Sequence, residues 1–105
     1  MKILFDKEYL RELYENGNTA NKKYRFQKDI IKRYQRKIEI LVNSETIESL
    51  FRINSLNYEV LSGDKEGVSS IRVNDKYRIE FKVEYDGEKK IMIICNILEL
   101  SNHYQ

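Results

Sequence analysis

At 105 residues the chain can bury about two thirds of its unfolded surface as one domain, with no disulfide or metal staple. Its single cysteine, Cys95, excludes a disulfide framework and fits a reducing compartment. The net charge is only +2, but between positions 22 and 37 eight basic residues (Lys22, Lys23, Arg25, Lys28, Lys32, Arg33, Arg36, Lys37) face one acidic residue, Asp29, so the positive field is local.

Residues 2–5 predict a short strand. Residues 1–5 are too short for a signal peptide or membrane span and are followed at once by charges, which points to a cytoplasmic protein. Asp6 is a good N-cap for a helix to about Asn16, with Phe5 and Leu10 placed as a hydrophobic staple and Leu10, Leu13 and Tyr14 on one face. Asn16-Gly17-Asn18 ends it. A second helix is expected over 23–42, because Phe26, Ile30, Tyr34, Ile38 and Leu41 recur at steps of four or three and make a core-facing stripe. Its other face is the basic run, which reads either as a solvated face or as a track for a nucleic-acid backbone. Ser44 looks like the cap of a short third helix that turns Ile47, Leu50 and Phe51 inward. Residues 56–67 read as a connection ending in the glycine-flanked turn Ser62-Gly63-Asp64-Lys65-Glu66-Gly67, too short to be a phosphate-binding P-loop.

From Tyr77 to Tyr85 every odd position is apolar or aromatic and every even one charged, the pattern of a half-buried strand; Ile71 and Val73 alternate in the same way upstream. A two-residue loop at Asn74-Asp75 would mix apolar and charged side chains on each face. A three-residue loop, Asn74 to Lys76, instead pairs Val73 with Tyr77, Ile71 with Ile79 and Arg72 with Arg78. Two arginines then stand opposite each other, which destabilises a strand pair. Either their stems splay into water with Glu80 partly neutralising them, or they form an anion site, since the guanidinium fork suits phosphate oxygens. Residues 91–100 are almost continuously apolar, as in a strand covered on both faces. The whole predicts an α+β domain, 1–105, with N-terminal helices packed on the odd-numbered face of a small antiparallel sheet. No proline, repeat or low-complexity segment divides it.

Leu61-Ser62-Gly63-Asp64-Lys65-Glu66-Gly67, Ser70-Ile71-Arg72-Val73-Asn74, Tyr77-Arg78-Ile79 and the C-terminal Ile97-Leu98-Glu99-Leu100-Ser101-Asn102-His103-Tyr104 resemble the HigB branch of the RelE/ParE toxin superfamily, over essentially the whole chain. The resemblance implies the RelE-like toxin fold and a type II toxin that cleaves messenger RNA in the ribosomal A site, neutralised by a HigA-like helix-turn-helix antitoxin. Two other readings go with the superfamily: a ParE-like inhibitor of DNA gyrase, and an inactive homologue that acts only with its antitoxin on operator DNA.

RNA cleavage of this kind uses a neighbouring 2′-OH as nucleophile, so no metal or cofactor is expected; the protein supplies a base, an acid and cations. Arg72 and Arg78 are the charge stabilisers, Lys65 a third cation, and His103 the proton-transfer group suited to neutral pH. Tyr104 could stack on a base. Many members end in Asp-Tyr-His where this chain has Asn102-His103-Tyr104. Many also carry a His and a Lys before the glycine where Glu59 and Ser62 stand, so Glu59 is a replacement base or plain surface. If Asp86-Gly87 makes a two-residue turn, Arg78 pairs with Cys95 and His103 shares the arginine face. A three-residue loop brings Asn102 and Tyr104 there instead; the Asp-Gly pair favours the first. The basic run supplies the expected RNA contacts: Lys22, Lys23, Arg25, Lys28, Lys32, Arg33 and Arg36.

Overall fold

The structure, a computed structural model, describes residues 1–88 and 91–102. It is α+β: strands β1 (Lys2–Phe5), β2 (Glu59–Val60), β3 (Ser69–Arg72), β4 (Tyr77–Asp86) and β5 (Ile91–Asn102) form one sheet in the order β1-β5-β4-β3-β2. Helices α1 (Glu8–Asn16), α2 (Lys28–Val42) and α3 (Ile47–Phe51) cover one face. Every neighbouring pair is antiparallel except β1 with β5, so the sheet is mixed. Among the described residues no helix is long and apolar enough to cross a membrane.

The helical layer follows from its periodicity. Ile30, Tyr34, Ile38 and Leu41 of α2 are buried with Tyr9, Leu10 and Leu13 of α1 against Ile71, Ile79 and Phe81 of the sheet. Two polar links fix α1 to α2: the Tyr34 hydroxyl donates to the Leu10 carbonyl at 2.7 Å, and Gln35 Nε2 donates to the Leu13 and Tyr14 carbonyls at 3.0 and 3.3 Å. Gly17, at φ 74°, ends α1 in the left-handed conformation that a side chain resists, and its N–H returns to the Leu13 carbonyl. Cys95 is buried, and burial pushes its thiol up to about 12, so it stays protonated.

Several helix boundaries depart from the pattern. Helix α1 starts at Glu8 with Lys7, not Asp6, in the cap position and no side-chain cap. Phe5 lies 5.7 Å from the Tyr14 ring. The second helix starts at Lys28 rather than Lys23. Lys22–Tyr24 is a 3₁₀ turn held by the Asn21 side chain, which accepts the Lys23 N–H, and Arg25 and Gln27 are extended. The cause is tertiary: Tyr24 stacks on Tyr9 while Phe26 meets Tyr77 edge-on, and a helix could not send both rings to these partners. Thr46, not Ser44, caps α3; the Ser44 hydroxyl instead donates to the Ile40 carbonyl. Phe51, expected inside, is 59% exposed on the outer side of α3.

The β3–β4 register is the three-residue one: Ile71 pairs with Ile79 and Arg72 with Arg78, and the Val73 N–H bonds the Tyr77 carbonyl at 2.9 Å. The Asn74 side chain accepts the N–H groups of Lys76 and Tyr77 and closes the turn. The next hairpin differs from expectation. Asp86 is itself paired, with Ile91, so Asp86-Gly87 is not a two-residue turn, and two register shifts follow. Arg78 therefore stands opposite Ser101, while Cys95 faces Val83. These shifts also explain the apolar run. The inward residue changes from Met92 to Cys95 and Ile97, then to Leu100, while Ile91 and Ile93 face out at 38% and 50% exposure, so β5 is not covered on both faces.

Candidate basic site on the sheet face

Strand pairing sets two rows on the face opposite the buried Ile71, Ile79 and Phe81. One runs Glu59, Ser70, Glu80 and Glu99 across β2 to β5; the next runs Arg72, Arg78 and Ser101. Arg78 is 8% exposed and reaches back over β3. Its Nε donates to Ser70 Oγ and one Nη to the Asn57 carbonyl, both at 2.5 Å, with the Ser70 carbonyl at 3.3 Å. Asn57 offers that carbonyl because it sits at φ 44° after the 3₁₀ turn Asn54–Leu56. Arg72 runs the opposite way, to the Asp75 carboxylate at the hairpin tip. The two guanidiniums therefore diverge, and Glu80 neutralises neither.

Glu80 instead holds Lys65, with Nζ 3.1 and 2.8 Å from its two oxygens. The loop that carries Lys65 is closed by the Leu61 N–H on the Val68 carbonyl and turns through Gly63 and Gly67 at φ 66° and 84°. Glu99, opposite Glu80, has separate partners: Lys7 and the Tyr9 hydroxyl both bond it. The Glu99 carboxylate raises the Lys7 pKa, and burial together with the Glu99 bond raises that of Tyr9. Two like-charged carboxylates thus face each other, each neutralised by its own lysine.

Of the expected catalytic residues, Arg72, Arg78, Lys65 and Glu59 share this face. Glu59 is exposed and opposite Ser70, the residue that receives Arg78. His103 and Tyr104 lie outside the described residues. The basic run divides. Arg25 and Arg33 line a cleft of about 650 Å³ with Arg72, Asp75 and Lys76. Lys23 lines a second, of about 660 Å³, with Lys65, Glu80 and Glu99. Lys22, Lys28, Lys32 and Arg36 are exposed and line neither. Lys37, half-buried on α2, has a lowered pKa because burial and the nearby Arg33 and Arg72 charges disfavour its ammonium form. Sequence reasoning missed the Arg78 acceptors Ser70 and Asn57, and the roles of Glu99, Phe26 and Tyr77. A lone carboxylate in an apolar strand was the available sign for Glu99. Among the described residues no cluster of His, Cys, Asp and Glu side chains is arranged to hold a metal ion.

The fold has solved relatives. It is similar to the YoeB/ParE toxin from Agrobacterium tumefaciens, at 19% identity and TM-score 0.57, covering 99% of this chain and 100% of that one. It is also similar to YoeB from Staphylococcus aureus, seen as a dimer (20% identity, TM-score 0.53) and in a heterotetrameric complex with YefM (20% identity, TM-score 0.52), each covering 99% of this chain and 98% of the other. None of the curated proteins matches the chain. A family model does: it spans residues 3–95, and so takes in Glu59, Lys65, Arg72 and Arg78, and on that match the chain belongs to the HigB-like toxins, RelE-like toxins of type II toxin-antitoxin systems.

Proposed function

We propose that this toxin, working as one domain, is a metal-independent endoribonuclease that cuts messenger RNA on the ribosome in the cytoplasm and is neutralised by a HigA-like helix-turn-helix antitoxin. The observation that carries the reading is Arg78: a guanidinium almost removed from water, held by Ser70 and Asn57 on a face that also presents Arg72, Lys65 and Glu59. A fixed cation in a low-dielectric setting stabilises charge that develops on a phosphate without reorganising. The ribose 2′-OH attacks its own phosphate in line and the 5′-oxygen leaves. In this reading Glu59 takes the 2′-OH proton and His103 donates one to the leaving oxygen. Arg78 balances the extra phosphate charge with Lys65 as a second cation, Arg72 holds the strand beside them from the hairpin tip, and Tyr104 stacks on a neighbouring base.

Induced expression tests this. The wild-type chain is expected to arrest growth, and Arg78→Ala to relieve the arrest while retaining the fold by circular dichroism. A fully toxic Arg72→Ala/Arg78→Ala double variant overturns the reading. Arrest with supercoiling defects and intact messenger RNA would favour gyrase inhibition. A harmless wild-type chain would favour a role confined to the antitoxin complex.

A further inference from the structure

The cleft between the lead-in to α2 and the β3–β4 hairpin tip gathers more positive charge than it balances. Arg25, Arg33, Arg72 and Lys76 line it against Asp29 and Asp75. Arg25 and Arg33 form no ion pair with any described residue. Arg33 and Arg72 are also close enough to act on Lys37. Like charges gathered in a concave site raise its affinity for an anion. Its aromatic border narrows the choice of anion. The Phe26 and Tyr77 rings, 5.4 Å apart and edge to face, line both clefts and stand half-exposed as the ridge between them.

We propose that this cleft binds a phosphodiester of single-stranded RNA, with a flanking base on the Phe26–Tyr77 ridge. The inference rests on the RNA-cleaving function above and extends it to a second phosphate. Arginine forks beside half-exposed rings match a strand that alternates phosphates and bases, whereas an acidic peptide would use the cations and leave the rings idle. Asp75, with its side chain 89% exposed, holds Arg72 as a stand-in anion that the phosphate displaces.

The test is fluorescence anisotropy with a labelled 2′-O-methyl uridine octamer, which cannot be cut because the attacking hydroxyl is blocked. Arg25→Gln/Arg33→Gln, both exposed positions, should weaken binding about tenfold and lower the slope of log affinity against log salt by about one to two. Asp75→Asn should have the opposite sign and tighten binding by about two- to fivefold. Equal affinities and slopes across the three proteins, or no binding by the wild type, overturn the inference. So does a response confined to a polyglutamate probe, which would mark an acidic peptide as the occupant. None of these failures touches the cleavage reading, which stands or falls on messenger RNA cutting that depends on Arg78.

Discussion

Arg72 and Arg78 stand directly opposite each other across β3 and β4, yet their guanidiniums point apart: Arg72 to Asp75 at the hairpin tip, Arg78 back over Ser70 to the Asn57 carbonyl. The arrangement removes the penalty of facing like charges and separates the two residues in function. Arg78 becomes a desolvated cation with a fixed direction; Arg72 becomes one wall of an open cleft.

The Arg78 site is expected to respond to its geometry as well as its charge. Arg78→Lys keeps one positive charge and loses the fork that serves Ser70 and Asn57 together. Cleavage should fall by about 10²–10³-fold, as when one preorganised donor is lost. Ser70→Ala leaves the buried Nε donor without that hydroxyl and should cost about 1–3 kcal/mol, read by urea denaturation. Wild-type cleavage by Arg78→Lys would show that charge alone suffices.

Glu80→Gln should separate activity from stability. The Lys65 side chain is 54% exposed, so its pair with Glu80 contributes less than about 1 kcal/mol. The carboxylate nevertheless fixes where Lys65 sits above the sheet. Cleavage should drop while the melting temperature barely moves, and the exchange Lys65→Glu/Glu80→Lys should leave the melting temperature near that of the wild type without recovering cleavage. Unchanged cleavage in Glu80→Gln would remove Lys65 from the mechanism.

The α1–α2 junction can be probed through one hydroxyl. Tyr34→Phe removes the 2.7 Å bond to the Leu10 carbonyl inside the core and should cost about 1 kcal/mol, about 4–8 °C in melting temperature. An unchanged melting temperature would contradict that role.

Lys37 provides a pH test. Its pKa in the folded chain lies below the ordinary 10.5, through burial and then Arg33 and Arg72. The folded state therefore binds that proton more weakly than the unfolded one. The penalty is complete below the folded pKa and fades as pH rises toward 10.5. Lys37→Met should raise the melting temperature at pH 7, with a gain that narrows at high pH. A gain that does not change with pH would assign it to packing instead.

Legibility in the sequence depended on how strictly each segment kept one period. In β4 apolar and charged residues alternate without a break, Ile71 and Val73 keep the same period upstream, and only one loop length keeps the faces consistent, so the Arg72–Arg78 pair is legible in the pattern alone. In β5 apolar residues occupy both parities, and two bulges change its phase against β4. No pattern in the strand marks them, and a two-residue turn at Asp86-Gly87, the one the Asp-Gly pair favours, sets Cys95 beside Arg78 where the structure has Ser101. The start of α2 was hidden because Tyr24 and Phe26 fit a helical stripe but are drawn to Tyr9 and Tyr77. Glu99 was passed over because one of its partners, Lys7, is at the far end of the chain. Where Arg78 would find its acceptors could not be read locally, since Asn57 supplies a backbone carbonyl that any residue type carries.

Mapping messenger RNA ends in a reconstituted translation reaction tests the central claim most directly. With the wild-type chain and ribosomes programmed with a defined message, new ends should appear in phase with the codon in the A site. They should be absent without ribosomes and reduced at least about 10²-fold for Arg78→Ala. Codon-phased ends of undiminished intensity with Arg78→Ala, or a wild-type chain that leaves the message whole on the ribosome, would contradict it.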